Sequence, residues 1–371
     1  MGIVQYVVLH PWKVAVTVVA GVLLGLGAFY VYQVQAALGT VATEEFDPAA
    51  ARAAIDVTET TSRNIVFVEP EQYAEGEELA ERQLELAGEF DLTGSFDPRS
   101  LTPHSFGTPI ADEVFTSYLL VGADASGFLA DVIILALQPE DDTDPIMVSL
   151  PRDLLVWNLC QRTLTRLNEG LGGCTGVASG SELLAIMVED YTGIPVDPVA
   201  RVNFAGFARV VDAMGGVTIC VDRPTRDIKS HLDIATSGCR RADGETTLAW
   251  VRSRHTEQLV GDSWTVVAGS DFARQTRQQD VLFQLAGKAA GFSTPASLTN
   301  KLSAVASSVR LDSSWTFGQA VSAAWRYRGI SKEDVLRFSI EVQNHRTPLG
   351  AAVLLPTMSF RGQLEEVYPL G

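Results

Sequence analysis

Val14 to Tyr32 is a run of 19 uncharged, mostly apolar residues, VAVTVVAGVLLGLGAFYVY. At 1.5 Å per residue a helix of that length nearly crosses a hydrocarbon core of about 30 Å. Residues 14–36 are therefore expected to form one transmembrane helix. Lys13 precedes the run, and Glu44, Glu45 and Asp47 follow it. The positive-inside bias then places residues 1–13 in the cytoplasm and the rest of the chain outside the cell membrane. The rival reading is a cleaved signal peptide, because Val34-Gln35-Ala36 resembles a small-residue cleavage site, although the run exceeds the usual apolar core of such a peptide. Gly21 and Gly25 form a GxxxG, a weak sign of helix pairing.

The remainder is acidic. Net charge is −17, and residues 41–100 alone hold 15 Asp and Glu against 4 Arg. Such a balance argues against nucleic acid, which is gripped by an excess of basic residues that neutralise phosphates. An anionic ligand is still within reach of a local arginine pocket. The charge shift marks a boundary near residue 110, so residues 37–110 read as an acidic extracytoplasmic stalk and 111–371 as the catalytic domain. Within the stalk, Glu71–Glu89 has the composition of an exposed helix and Asp91–Pro109 that of a loop. Four cysteines, Cys160, Cys174, Cys220 and Cys239, fall as two local pairs, which suits disulfides in an exported domain. Three connectivities exist; Cys160–Cys174 with Cys220–Cys239 is favoured because each closes a short loop. Zinc is disfavoured, since no CxxC spacing or histidine cluster accompanies them.

From Ser117 onward short β-rich runs alternate with helical stretches. Tyr118–Val121, Val132–Leu137 and Ile146–Leu150 read as buried strands, followed by a helix over Ser181–Tyr191. A strand at Ala200–Phe204, a helix at Phe207–Met214, the turn Gly215-Gly216 and a strand at Val217–Val221 come next. Helices at Thr246–Val251, Asp271–Ala290 and Phe317–Tyr327 and a last strand at Val335–Val342 complete the pattern. Strands alternating with helices imply an α/β sandwich, a sheet covered on both faces.

The sequence contains no HExxH, Walker loop, GxSxG or GxGxxG, and its five histidines are scattered. Carboxylates and arginines at element ends remain. Asp124 ends one strand and Asp131 opens the next, so a hairpin could bring both to one sheet edge, where two carboxylates would suit Mg²⁺ that also bridges phosphate oxygens. Aspartates so placed are more often plain turn residues. Arg152-Asp153 follows the third strand, either as a phosphate contact or as a surface ion pair. Arg252 and Arg254 could face one side if the chain is extended there. On a helix beginning near Asp271, Asp271, Arg274 and Gln278 share one face, and arginines in the first turns of a helix make an anion cradle. Asp271 could equally be only an N-cap.

From about Tyr118 to the C-terminus the chain resembles the LytR-CpsA-Psr family of cell-wall glycopolymer ligases, with an actinobacterial look at Cys220 and Cys239. The resemblance is carried by Leu119-Leu120-Val121-Gly122-Ala123-Asp124, Ala130-Asp131-Val132-Ile133-Ile134-Leu135 and Val148-Ser149-Leu150-Pro151-Arg152-Asp153. Arg166-Leu167-Asn168, Asn203-Phe204-Ala205-Gly206-Phe207 and Val211-Asp212-Ala213-Met214-Gly215-Gly216-Val217 continue it in order. Asp243-Gly244, Val251-Arg252-Ser253-Arg254 and Asp271 through Arg274 to Arg277-Gln278 close it.

This resemblance implies an αβα sandwich with a central mixed β-sheet. It implies transfer of a glycopolymer, arabinogalactan or another secondary wall polymer, from a polyprenyl-pyrophosphate carrier to a peptidoglycan hydroxyl through a phosphodiester. Asp124 and Asp131 would hold Mg²⁺, with Mn²⁺ able to substitute. Arg152, Arg252, Arg254, Arg274, Arg277 and Gln278 would bind pyrophosphate, Arg277 from behind the others. Arg152 and Arg254 would act in catalysis, and Asp271 would accept the acceptor proton. The polyprenyl tail would lie in an apolar tunnel between the sheet and helices such as Ser181–Tyr191 and Phe207–Met214. The chain departs from the family at Gly127-Phe128-Leu129-Ala130, where an Arg and a Ser usually precede the second aspartate. The segment between Arg254 and Asp271 is longer than usual, and Gly261-Asp262 offers a second register for the family's Gly-Asp. Two other functions use the same clamp: a polyprenyl-pyrophosphate phosphatase with water as acceptor, and a scaffold that binds the lipid without turnover.

Overall fold

Inward-facing Phe115, Ser117, Leu119, Val121 and Ala123 alternate with half-exposed neighbours, the period-two burial of a strand with a packed face. A computed structural model describes this chain over residues 42–62, 107, 109–141, 143–268, 271–290, 305–313, 319, 332–347 and 350–370. The first elements are strand β1 (Ala42–Glu44) and helix α1 (Pro48–Ser62), then β2 (Phe115–Ala123), β3 (Ala130–Pro139), β4 (Ile146–Ser149), β5 (Leu155–Asn158) and β6 (Thr163–Arg166). Helix α2 (Gly180–Thr192), β7 (Val199–Asn203), α3 (Phe204–Ala213), β8 (Val217–Val221), β9 (Thr225–Asp227), β10 (Leu232–Ile234) and β11 (Gly238–Ala242) follow. Helix α4 (Gly244–Arg252), the hairpin β12 (Thr256–Val260) and β13 (Ser263–Ala268), α5 (Asp271–Ala290), β14 (Val309–Asp312), β15 (Leu336–Ser339), β16 (Val342–Arg346), β17 (Ala352–Pro356) and α6 (Phe360–Glu365) complete the chain.

Seven strands form the central sheet in the order β1-β14-β7-β2-β3-β4-β15. It is mixed, as expected: β2 runs parallel to β7 and β4 to β15, while β2/β3, β3/β4 and β7/β14 are antiparallel. One correction concerns the segment expected as a stalk. Its residues 42–44 supply the edge strand β1, parallel to β14, and Arg52 of α1 pairs with Asp190 of α2 at 2.8 Å. The sheet therefore recruits residues from well before the expected boundary at 110. The small sheet β10-β9-β12-β13 and the hairpins β5–β6 and β16–β17 add to the elements read from the sequence.

The main core lies on one face of the sheet. Leu183, Leu184, Ile186, Met187, Val188 and Tyr191 of α2 are buried against Leu119, Val121, Ile133 and Leu135. Each such aliphatic side chain contributes about 2 kcal/mol when taken from water. The helix starts with a capping box, the Ser179 hydroxyl accepting from Glu182 N–H while the Glu182 carboxylate accepts from Ser179 N–H, and it stops at Gly193 in the left-handed conformation. A second core joins Val211 of α3, Ala249 and Val251 of α4 and Val281 of α5 to β8 and β10. Both disulfides have the favoured connectivity, Cys160–Cys174 and Cys220–Cys239.

Among the described residues no helix is long and apolar enough to cross a membrane. The run at 14–32, the expected helix at Glu71–Glu89 and all but residue 319 of Phe317–Tyr327 lie outside the described residues.

Helices α3 and α4 touch where Gly244 meets Ala208; a Cβ at Gly244 would fall 2.7 Å from the carbonyl carbon and Cα of Ala208. Gly244→Ala is expected to wedge the two helices apart and destabilise the domain by about 2 kcal/mol. A lowered urea midpoint at unchanged slope would show it; an unchanged midpoint would refute close packing there.

Candidate functional site

The second face of the sheet is hollow. Leu120, Gly122, Val132, Ile134, Ala200 and Val202 line one wall of a cavity of about 370 Å³. Phe204 and Phe207 of α3, Leu248 and Val251 of α4 and Leu282 of α5 line the other. A cavity thus lies beside α3, but α2, expected to wall a tunnel, takes no part in it: Leu184 and Ile186 are packed into the core on the opposite face.

Polar groups gather in the same cavity lining: Asp131, Arg152, Arg252, Arg254, Arg274 and Gln278, with Arg201 and Asn203 of β7. Their positions follow from the elements that carry them. Asp131 is the second residue of β3, and its carboxylate forms a close ion pair with the Arg152 guanidinium just beyond β4. Arg152 and Arg254 also flank the Asp153 carboxylate, at 3.5 and 3.3 Å, with Arg166 at 3.7 Å on its other oxygen. Of the two alternatives for Arg152-Asp153 the ion pair is present, and Arg152 also borders the cavity. Helix α4 ends on Arg252, whose guanidinium lies 4.2 Å above the Phe204 ring. Ser253 is extended (ψ 123°), the conformation under which Arg252 and Arg254 were expected to face one side, and both border the cavity. Arg274 is buried in the second turn of α5, and Gln278, one turn on, donates to the Val251 carbonyl at 3.1 Å.

Two expected residues stand apart from this group. Arg277 is buried but does not border the cavity. It donates to Ser253 O (2.6 Å) and Thr256 Oγ1 (2.9 Å) and stacks on Trp250 at 4.8 Å, so it braces the arginine loop rather than facing a ligand. Burial pulls its guanidinium down to about 10; the nearby Asp227 charge opposes this and Arg274 adds to it. Asp271 opens α5, and its side chain lies outside the described residues.

Asp124 organises the β2–β3 turn. Its carboxylate accepts from the Ser126 hydroxyl (2.7 Å) and from Gly127 N–H (2.8 Å). Burial opposes the charge, and these bonds, with one from Leu129 N–H, outweigh it and hold the carboxyl below its ordinary value. Phe128 at the tip is 66% exposed, and residues 125–130 of this turn carry no cationic side chain. Among the described residues no three His, Cys, Asp or Glu gather as a metal site. Of the two carboxylates expected to hold Mg²⁺, Asp131 borders the cavity in its pair with Arg152, and Asp124 is engaged within its own turn.

Asp227 is the neighbour of the site that the sequence did not reveal. Asp227 is 1% exposed. Burial works against its charge, but the N–H groups of His255, Lys229 and Ser230 and the Ser253 hydroxyl hold its carboxyl down at about 2. Nothing in its local sequence, Thr225-Arg226-Asp227-Ile228, distinguishes it from a turn residue.

A hollow sheet face closed by guanidinium groups defines a protein suited to amphiphilic anions, the apolar walls covering a chain and the arginines its charged end. The model of the LytR_cpsA_psr family matches residues 109–358, and the chain belongs to that family. It is 35% identical over 182 residues to the probable cell wall biosynthesis protein LcpB of Corynebacterium glutamicum, a match covering 44% of this chain and 42% of that protein. It is 27% identical over 198 residues to the polyisoprenyl-teichoic acid–peptidoglycan teichoic acid transferase TagU of Bacillus cereus, covering 52% of this chain and 59% of that one. The chain thus matches about two- to three-fifths of the length of these relatives. The fold matches the LytR-Csp2A-Psr enzyme from Actinomyces oris with a TM-score of 0.55 at 24% identity, over 71% of this chain and 93% of that one.

The depressed acidity of Asp227 has a signed consequence. With the folded group at about 2 and an unfolded aspartate near 3.9, its ionisation stabilises the fold fully above pH about 4 and ceases to do so as pH falls toward 2. The stability advantage of wild type over Asp227→Asn is expected to shrink by about 2 kcal/mol across that window. Urea unfolding of both proteins between pH 6 and pH 2 measures it, and a difference that stays flat with pH would rule out the carboxylate as its source.

Proposed function

We propose that this chain is a membrane-anchored phosphotransferase that moves a glycopolymer from a polyprenyl-pyrophosphate carrier to a peptidoglycan hydroxyl. The observation that carries the reading is the joining of an apolar cavity to Arg152, Arg252, Arg254 and Arg274 at one site, the shape and charge of a prenyl chain ending in pyrophosphate. The relatives named for teichoic acid transfer and cell wall biosynthesis support it. Arabinogalactan or another secondary wall polymer fits the same chemistry. The apolar run at 14–32 and the two disulfides support an anchor in the cell membrane with the domain outside it.

In this reading the prenyl chain lies against Leu120, Val132, Phe207 and Leu248, and the pyrophosphate meets the guanidiniums. Arg152 and Arg254 exchange their contacts with Asp131 and Asp153 for phosphate oxygens. The acceptor hydroxyl oxygen attacks the phosphorus that bears the sugar. A new P–O bond forms, the P–O bond to the prenyl phosphate breaks, and polyprenyl monophosphate leaves. Asp271 takes the hydroxyl proton. Mg²⁺ held by Asp124 and Asp131 would neutralise charge on the phosphate oxygens. The guanidiniums stabilise charge as it shifts to the leaving oxygen, and the closed apolar wall keeps water away.

The test uses the full chain in detergent, a short-tailed lipid-pyrophosphate glycan, a peptidoglycan oligomer and Mg²⁺. Acceptor-linked glycan is expected, abolished by EDTA and lowered about 100-fold by Arg254→Ala. Release of phosphate products without linkage, with an acceptor that a known ligase uses, would replace transfer by hydrolysis. Bound lipid without turnover would make the protein a scaffold, a reading that the absence of the usual Arg before Asp131 favours.

A further inference from the structure

Asp227 lies at the end of β9, outside the cavity, yet each of its two oxygens serves a different loop. Oδ1 accepts from Lys229 N–H (2.9 Å) and Ser230 N–H (3.4 Å), closing its own turn. Oδ2 accepts from the Ser253 hydroxyl (2.7 Å), Arg254 N–H (2.9 Å) and His255 N–H (2.9 Å). The second set, one hydroxyl and two backbone N–H groups, belongs to the segment that leads out of α4 through Arg254. Ser253 Oγ lies 2.8 Å from Thr256 Oγ1, and Arg277 clamps the same segment from the opposite side through Ser253 O and Thr256 Oγ1.

We propose that Asp227 is the positioning residue of the arginine clamp: its Oδ2 fixes the 253–255 backbone, so that the Arg254 guanidinium stands at the cavity before any ligand arrives. A helix end is a weak place to hold a long cation, because the last turn frays and a guanidinium carries many rotamers. Three donors converging on one buried anionic oxygen remove the backbone share of that freedom. The carboxylate also places a negative charge beside Arg277, which offsets the repulsion among the buried guanidiniums. An amide cannot do both jobs. In Asp227→Asn one of the two oxygens becomes an N–H₂ group, so one loop faces donor against donor whichever way the amide turns.

This inference rests on the reading of the cavity as a prenyl-pyrophosphate site, and its test separates the two. Full-length wild type and Asp227→Asn in detergent are titrated with geranylgeranyl pyrophosphate and with geranylgeraniol, which keeps the tail and lacks the charge. Asp227→Asn is expected to bind the pyrophosphate about 30-fold more weakly and the alcohol with unchanged affinity. Equal loss for both probes would mean a general weakening of the fold and overturn the proposal, as would pyrophosphate binding equal to wild type. If wild type itself does not prefer the pyrophosphate, the cavity reading fails and Asp227 has no clamp to position. Should Asp227→Asn not fold, Ser253→Ala decides: it removes one donor to the same oxygen, and a loss of about threefold confined to the pyrophosphate is expected. No selective loss there would overturn the role.

Discussion

Five arginines, Arg152, Arg201, Arg252, Arg254 and Arg274, border one cavity whose walls are otherwise largely apolar. Like charges in such surroundings repel strongly, so their assembly is the condition that the rest of the structure has to meet. Three aspartates from three different places meet it. Asp131 pairs with Arg152, Asp153 sits between Arg152 and Arg254, and Asp227 lies beside Arg277 under the loop. Phe204 and Trp250 add aromatic faces beneath Arg252 and Arg277. The cluster holds together by contacts that a stronger anion could replace at the cavity and that it could not reach underneath.

The fold divides this labour between the two faces of one sheet. On one face α2 packs mainly apolar side chains against the sheet, and this solid layer fixes the strands. The other face is only partly covered, because α3, α4 and α5 pack chiefly on one another and on the small strands β8 and β10. Between that second core and the sheet a hollow remains. Gln279 of α5 donates to the Ser149 hydroxyl of β4 at 2.9 Å, and Arg337 of β15 reaches Asp280 at 3.3 Å, so the roof is pinned to the sheet near the third strand. Rigid floor and pinned roof leave a space of fixed shape.

Much of this was legible from residue order. Strands β2, β3, β4, β7 and β8 and helices α2 to α5 announce themselves through apolar period and turn chemistry, and Arg152, Arg252, Arg254, Arg274 and Gln278 do reach the same cavity. What escaped depends on contacts distant in sequence. Three residues, Ala42–Glu44, make a strand only because β14 offers them an edge, about 270 positions away. Asp227 reads as an ordinary turn aspartate until the loop 26 residues later folds onto it. Arg277 shares a helix with Arg274 and Gln278, but three residues from Arg274 turn it toward the back of the loop, a difference of facing that helical spacing alone leaves open to either side. The side of the sheet that is hollow was equally beyond local pattern, since α2 and α3 both carry apolar faces.

The entry of β1 into the sheet changes the meaning of the acidic segment. Had residues 37–110 been a simple spacer, their 74 residues could have reached on the order of 250 Å. Because Ala42 already belongs to the sheet, only nine residues separate it from Tyr32, a tether of about 35 Å at full extension. Whatever surface captures the apolar run therefore keeps the cavity on a short leash. The acidic stretch between α1 and β2 becomes an excursion rather than a spacer, leaving and returning to one neighbourhood: Arg52 pairs with the Asp190 carboxylate, and Gly107 N–H donates to the Asp190 carbonyl at 2.7 Å. A single residue of α2 thus ties Arg52 and Gly107, which stand on either side of that stretch in the sequence, to the domain.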